Sequence, residues 1–384
     1  MKTSSISKRL KPSLTRKLFN MALSIGDDVI DLTLGDPDVL PHEEIRKAAC
    51  KSIMDGNTRY SANAGLISLR ESYSEFFKRQ YGIAIKPEEN VITTVGGMEA
   101  LFLAFTSIVD EGDEVIILTP YYVNYFEMLN MCKGNAVFVE RLGKSDNEVL
   151  NEILQKITDK TVAIVVNSPC NPVGDIISSN ILDGIAQIAN SKDLFVISDE
   201  VYSSLIYDGK KHESIISREN MIDRTILIDS CSKRFAMTGW RIGFAVAPQE
   251  IISTMIKMQE NIAACAPLPS QYAAIKAYSE DFDYSYINNE YEKRRNLVFN
   301  RLNEIPKLSP LYPEATFYCF VDISKTGLDA ETFAYKLLEE KHVAVVPGNA
   351  YGENFTKYIR IAFTLEESLL NLAMDKIHDF CESI

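Results

Sequence analysis

The sequence has few of the residues that build metal centres, disulfide frameworks or membrane spans. Its 384 residues include four scattered histidines and seven cysteines, an odd number without a Cys-x-x-Cys pair. These features predict reduced thiols, a cytoplasmic protein and no structural metal. No run of eighteen or more apolar residues occurs, so we expect no membrane span.

Positive charge is also scarce. The chain has 40 lysines and arginines against 53 acidic residues, and its net charge is -13 at pH 7. A nucleic-acid surface needs a concentrated positive field, so we expect no nucleic-acid partner. A few local arginines are still enough to hold a small anionic ligand. Hydrophobic residues make up 46% of the chain, which excludes a disordered protein, and the length favours two domains.

The segment from Ser230 to Gly243 contains a lysine that could form an imine. Lys233 follows the apolar run 225–228, so we expect it on a loop after a buried strand, where open α/β sheets place catalytic groups. Arg241 lies eight residues later and precedes a second apolar run. A lysine flanked by hydroxyls and an arginine could bind a phosphorylated carbonyl compound such as pyridoxal phosphate. An exposed loop lysine is the simpler alternative, so the other motifs must decide.

Four more motifs follow apolar, strand-like runs in the same way. They are Gly96-Gly97, Tyr122, Asn171 and Asp199. The glycine pair precedes an apolar helical segment, and free N–H groups at a helix start form a generic anion site, although a glycine pair is often only a turn. The repeated pattern predicts an α/β fold with a mostly parallel, doubly wound sheet and a ligand at the carboxyl ends of its strands.

The spacing Ser-x-Ser-Lys, followed by Gly239, Arg241 and Gly243, resembles the lysine signature of the class I and II pyridoxal-phosphate aminotransferases. The resemblance extends from about Leu34 to Arg360. Within the family, the chain is most similar to the aspartate and aromatic amino acid aminotransferase branch. The resemblance implies fold type I. A large domain, 46–278, would contain a seven-stranded type of sheet, and a smaller α+β domain would comprise 1–45, with an N-terminal arm, and 279–384.

The resemblance also implies a role for each motif around the cofactor ring. Lys233 would bind pyridoxal 5′-phosphate covalently and carry the substrate proton as general acid and base. Asp199 would pair with the pyridine nitrogen, and Tyr122 would stack on the ring. Asn171 and Tyr202 would donate hydrogen bonds to the phenolic oxygen. One departure is nearby, since Val173 replaces the threonine that is usual in the Asn-Pro-Thr-Gly turn.

Further roles concern the phosphate and the substrate. The phosphate would be held by Ser230, Arg241, the backbone amides of Gly96, Gly97 and Met98, and Tyr60 from a neighbouring subunit. The substrate would be held by Gly35, Tyr122, Asn171 and Arg360. The guanidinium of Arg360 would grip the α-carboxylate as a fork, and an arginine between isoleucines is costly to bury without an anion. Ala315 and Thr316 depart from the usual glycine and alanine of this region.

The N-terminal segment is basic. Before Asp27 it contains no acid and the basic residues Lys2, Lys8, Arg9, Lys11, Arg16 and Lys17. An organelle presequence is one interpretation. The resemblance favours the other, an arm that lies on the partner subunit of a homodimer with shared active sites.

The predicted function is an aminotransferase that takes aromatic amino acids or aspartate as donors and a 2-oxo acid such as 2-oxoglutarate as acceptor. No second arginine lies in a recognisable motif for a dicarboxylate, whereas Tyr121, Tyr122 and Tyr125 cluster in sequence and favour aromatic donors, unless they are simply core. A carbon–sulfur lyase on the same fold is the main alternative. A ligand-binding regulator domain is disfavoured, because only about thirty residues precede the first motif, too few for a winged helix, and a non-enzymatic scaffold is disfavoured by the full set of cofactor groups.

Overall fold

The computed structural model describes residues 3–10, 14–26, 28–279 and 282–384. The basic residues Lys2 and Lys11, and the side chain of Arg16, lie outside the described part. The helices in chain order are α1 (Ser5–Arg9), α2 (Leu14–Ile25), α3 (Glu43–Met54), α4 (Ile67–Tyr81), α5 (Pro87–Asn90), α6 (Gly96–Ile108), α7 (Asn124–Met131), α8 (Asp146–Lys156), α9 (Ser179–Lys192), α10 (Cys231–Arg234), α11 (Gln249–Ile262), α12 (Leu268–Ala277), α13 (Ser285–Asn303), α14 (Ala330–Lys341) and α15 (Glu367–Ser383).

The strands in chain order are β1 (Ile30–Asp31), β2 (Val91–Thr94), β3 (Glu114–Thr119), β4 (Asn135–Glu140), β5 (Thr161–Asn167), β6 (Phe195–Asp199), β7 (Thr225–Ser230), β8 (Gly243–Val246), β9 (Ser309–Pro310), β10 (Tyr318–Asp322), β11 (Val343–Ala344), β12 (Val346–Pro347) and β13 (Tyr358–Ala362). The apolar segment 343–347 forms two strands, because Val343 pairs with β1 whereas Val346 pairs with β13, in a different sheet.

A seven-stranded sheet in the order β2-β8-β7-β6-β5-β3-β4 is the centre of the fold. Strands β4, β3, β5, β6 and β7 are parallel to one another, as the sequence predicts. Strand β8 is antiparallel to both β7 and β2. The chain leaves β7 at Ser230 and returns at Gly243, directly opposite it in the register, so the segment between them forms a compact loop at the sheet edge.

The sheet is covered on both faces. In β5, Ala163 and Val165 pack into one hydrophobic cluster together with residues of α6 and α11. Ile164 and Val166 point to the opposite face and pack with residues of α8 and α9. Successive strand residues face opposite sides, so a strand buried on both faces reads as a continuous apolar run. That burial explains why the strands of this sheet were readable in the sequence.

The C-terminal third packs around a second, antiparallel sheet in the order β12-β13-β10-β9. Its hydrophobic cluster includes residues of α13, α14 and α15 together with Leu18, Ile30 and Leu32 from the N-terminal segment. The domain boundaries stay a prediction. No helix among the described residues is long and apolar enough to cross a membrane.

Candidate active site

A cleft of about 670 Å³ opens where strands β5, β6 and β7 end. It is lined by the predicted residues Gly35, Gly97, Met98, Tyr122, Asn171, Asp199, Tyr202, Ser230, Lys233, Arg241 and Arg360. Strands β5 and β6 end side by side at the cleft, because Asn167 and Asp199 are register partners at the ends of these two parallel strands. Gly96 lies directly before the lining residue Gly97, whereas Tyr60 is 87% exposed and does not line the cleft.

Lys233 lies on the one-turn helix α10, not on the irregular loop that the sequence predicted. The helix forms because Ser230 caps it, with its hydroxyl accepting a hydrogen bond from the amide of Ser232. The Lys233 Nζ donates to the carbonyl oxygen of Gly35 at 2.7 Å. Burial lowers the pKa of this amine to about 8, against the opposing charge of Asp36. A lysine of that pKa is partly neutral near pH 8 and can act as a nucleophile or base.

Asp199 is buried at the end of β6. Burial raises the pKa of this carboxyl to about 6, although a hydrogen bond from Tyr125 opposes the shift. The Tyr125 hydroxyl donates to Asp199 Oδ2 at 2.5 Å. A buried carboxylate at the wall of a cleft is suited to a cationic N–H group of a ligand.

Tyr125 contacts a site residue in a way that the sequence did not predict. It is 1% exposed, so of the two alternatives left open for it the core position is the one observed. It also holds the Asp199 carboxylate, and its ring meets that of Tyr122 edge-on with centroids 5.5 Å apart. Its amide donates to the Tyr122 carbonyl at 3.1 Å, in the turn that leads into α7, so the spacing of three residues was the available signal.

An anion site is formed where α6 begins. Glycine is required at position 96, because a Cβ there would lie 2.4 Å from an Arg241 guanidinium nitrogen, and φ is +77°. A Cβ on Gly243 would lie 2.4 Å from the carbonyl carbon of Gly96, so this glycine lets β8 approach the helix start. Arg241 therefore reaches across the first turn of α6, where unpaired amides and the helix dipole favour an anion. Ser232 also lines the cleft here and was not among the predicted residues.

Arg360 lies on β13 at the opposite wall and is 4% exposed. One terminal nitrogen donates to Asn171 Oδ1 at 2.9 Å and the other donates to the Thr33 carbonyl. Its Nε is buried and has no hydrogen-bond partner in the described part of the chain. The guanidinium carbon lies 4.1 Å from the ring centroid of Tyr318, whose hydroxyl is 3.2 Å from that of Tyr202.

The departure at Ala315 and Thr316 lies beside this wall. The Ala315 amide donates to the Gly174 carbonyl at 2.8 Å, which keeps the two segments together. Thr316 adopts a φ of 63°, which is rare for a β-branched residue, and the Tyr207 hydroxyl donates to its carbonyl. The backbone that leads to Tyr318 is therefore held in place by hydrogen bonds despite the departure.

Comparisons with known proteins agree with this geometry. The family model for aminotransferase class I and II matches residues 27–377. The chain is 39% identical to an aspartate aminotransferase of Pyrococcus abyssi, over 96% of this chain and 95% of that protein. It is 37% identical to aromatic-amino-acid aminotransferase 2 of Thermococcus litoralis, over 97% of each. A solved Thermus thermophilus aspartate aminotransferase with maleate superposes with a TM-score of 0.92 at 33% identity and full coverage of both chains.

These relatives are transaminases, and their names give no support to the carbon–sulfur lyase alternative. The fold type I architecture predicted from the motifs is confirmed by the solved structure. Aminotransferases of this family and fold depend on pyridoxal phosphate. The chain therefore belongs to the class I and II aminotransferases and is an enzyme that transfers amino groups between amino acids and 2-oxo acids.

Proposed function

We propose that this enzyme binds pyridoxal 5′-phosphate through Lys233 and transfers the amino group of aromatic amino acids or aspartate to a 2-oxo acid such as 2-oxoglutarate, with aromatic donors preferred. One observation supports it above all. The cleft brings an amine of lowered pKa, Lys233, together with the buried carboxylate of Asp199 and the anion site at Arg241.

The residues fit the cofactor. Arg241, Ser230 and the first turn of α6 match its phosphate, and the buried Asp199 carboxylate matches a protonated ring nitrogen. Tyr122 offers an aromatic face at the cleft wall, and stacking of this kind adds about 1 kcal/mol beyond burial. Asn171 and Tyr202 offer donors for the phenolic oxygen. When bound, pyridoxal phosphate supplies a ring that accepts electrons from the substrate Cα.

Arg360 and Lys233 then bind the substrate and transfer its proton. Arg360 fixes the substrate α-carboxylate with its planar fork, and the orphaned Nε adds a donor at the same wall. Lys233 would move the proton between the substrate Cα and C4′ of the cofactor as general base and acid, for which a pKa of about 8 is suited near neutral pH. Gly35 contributes a backbone carbonyl that accepts a hydrogen bond from the free amine of Lys233.

Two observations support the donor class. The relatives include both aspartate and aromatic aminotransferases. Among the described residues, the only lysines and arginines that line the cleft are Lys233, Arg241 and Arg360, and each already has a role. A donor with a second carboxylate therefore finds no further cation in this subunit, which favours aromatic donors.

We further propose a homodimer with shared active sites, in which Tyr60 reaches the phosphate in the neighbouring subunit. The exposure of Tyr60 supports this, because a tyrosine that is 87% exposed has its ring available to another chain. The N-terminal arm is only partly as expected, since its residue Leu10 lines the cleft of its own chain. The same proposal includes a large domain, 46–278, a small domain that comprises 1–45 and 279–384, and a cytoplasmic location.

Borohydride reduction and half-reaction spectra test the proposal. The purified protein should carry a reducible imine that is absent from Lys233→Ala but present in the control Lys211→Ala, an exposed lysine. Tyrosine or phenylalanine should convert the imine absorption to that of the amine form, and 2-oxoglutarate should reverse the change. Reducible label in Lys233→Ala would contradict the role of Lys233. Silence with tyrosine, phenylalanine and aspartate would contradict the donor class.

A further inference from the structure

The part of the cleft that is lined by helix α7 is here called the side pocket. Asn124, Glu127 and Met131 all line the cleft. Their spacing of three and four residues places them in one stripe on the helix. At 1.5 Å per residue, the stripe is about 10 Å long. The cleft therefore extends beyond the cofactor residues by enough to hold a long substrate side chain.

The other walls of the side pocket are apolar. They are formed by Met98 and Leu101 of α6 and by Leu10 of the N-terminal segment. The pocket begins at Tyr122, whose hydroxyl accepts a hydrogen bond from Asn124 Nδ2 at 2.8 Å and lies 3.3 Å from Met98 Sδ. Because Tyr122 is the residue proposed to stack on the cofactor, a substrate side chain that leaves the reacting centre here enters the pocket.

Glu127 and Asn124 are the polar residues of the side pocket, and Asn124 donates to the Tyr122 hydroxyl. The Glu127 Oε2 is buried and has no hydrogen-bond partner in the described part of the chain. A buried carboxylate oxygen without a partner is costly, and a ligand group that donates a hydrogen bond recovers that cost. A ligand that places a second carboxylate there is penalised by repulsion as well as by the unmet hydrogen bond.

We propose that Glu127 favours amino donors whose side chain is apolar along its length and ends in an O–H or N–H group, with tyrosine as the reference donor, and lowers the rate with donors that end in a carboxylate, such as aspartate. This inference rests on the proposed function, because it needs the donor side chain to lie beside Tyr122. Both half-reactions use the same cleft, so Glu127 also weakens the binding of 2-oxoglutarate.

Two substitutions separate charge from hydrogen bonding. Glu127→Gln removes the charge and keeps an acceptor, whereas Glu127→Leu removes both. Single-turnover half-reactions with tyrosine, phenylalanine and aspartate give a kcat/KM for each donor. Phenylalanine has no polar group on its ring, so ratios to phenylalanine cancel general effects on folding or cofactor content. Glu111→Gln is the matched control, since it removes an acidic charge at a surface pair with Lys133.

The expected result is a change in ratios. In Glu127→Leu the tyrosine-to-phenylalanine ratio should fall by about 10-fold to 100-fold, the range for a hydrogen bond to a charged group. In Glu127→Gln the aspartate-to-phenylalanine ratio should rise by about 10-fold and the KM for 2-oxoglutarate should fall. Glu111→Gln should leave all ratios within about two-fold.

Three results would overturn the inference. Ratios that stay within about two-fold in both Glu127 variants would show that this carboxylate does not meet the substrate, while reaction of all three donors would leave the proposed function standing. An equal fall for all donors would make Glu127 a structural residue. No reaction with any donor in the unmodified enzyme would overturn the proposed donor class and this inference together.

Discussion

Tyr125→Phe tests how the catalytic carboxylate is held. The substitution removes one hydroxyl, which donates to Asp199 Oδ2 at 2.5 Å, and keeps the ring that packs in the core. The hydrogen bond favours the charged form of Asp199 and opposes the effect of burial on its pKa. Without it, the pKa of Asp199 must rise above its value of about 6.

The size of the effect follows from that single bond. A hydrogen bond to a charged group contributes about 1.5 to 3 kcal/mol, which corresponds to roughly one to two pKa units. At pH 7 the ionised fraction of Asp199 then falls from roughly nine-tenths to between roughly one-half and one-tenth. Because the charged carboxylate is the form that we propose to pair with the cofactor ring nitrogen, the affinity for pyridoxal phosphate at pH 7 should fall about 2-fold to 10-fold through this titration.

The assay is titration of the apoprotein with pyridoxal phosphate at several pH values, followed by the imine absorbance or by the fluorescence of Trp240, the single tryptophan. The ratio of dissociation constants, variant to unmodified protein, cancels the titration of Lys233. It should grow as the pH falls through 7 towards 5 and shrink towards pH 9, where Asp199 is ionised in both proteins. Tyr121→Phe is the matched control, because its ring stacks on Phe138 and not at Asp199.

A ratio that is the same at pH 7 and pH 9 would refute this account. It would mean that the hydroxyl of Tyr125 supports the fold or the shape of the cleft and does not set the protonation of Asp199. An equal response in Tyr121→Phe would also refute it, since that substitution leaves the Asp199 hydrogen bond in place.

The remaining predictions concern stability and assembly. Asp199→Asn should stabilise the apoprotein: a carboxyl whose pKa rises from 3.8 to about 6 on folding costs up to about 3 kcal/mol when ionised. This gain should be absent below pH 4, develop between pH 4 and pH 6, and stay constant above, so thermal unfolding that shows no gain at pH 7 would contradict it. Mixing inactive Tyr60→Phe and Lys233→Ala subunits should restore activity, because one site per heterodimer then has both residues; no recovery after verified subunit exchange would argue against a shared site.

Much of the architecture could be predicted from the sequence, because the central strands are buried on both faces and therefore appear as apolar runs. Runs such as 162–166 are continuously apolar, and the polar residues that follow them, Asn167 to Asn171, lie at the sheet edge. Two local details did not follow from the sequence. Lys233 lies on a helical turn because Ser230 caps it, and 343–347 divides between two sheets because its ends meet different partners.

The contacts between side chains in the cleft could not be predicted from the sequence. Arg360 and Asn171 are 189 positions apart and share a hydrogen bond. Tyr125 and Asp199 are 74 positions apart. Neither pair has a sequence signature of its own, because each depends on how helices and strands pack and not on local spacing.

By itself, the sequence determined the α/β class, the polar residues that follow the central strands and the lysine motif. Each of these is a pattern of apolar and polar residues within a short stretch of the chain. Only the tertiary structure decided which side chains meet across the cleft. It brought the Tyr125 hydroxyl to Asp199 and Arg360 to Asn171. It also placed Glu127 and Tyr122 in the lining of the same cleft. The physical reason is distance, because hydrogen bonds and charge effects act over a few ångströms, and residues far apart in the chain come that close only when the sheets and helices have packed.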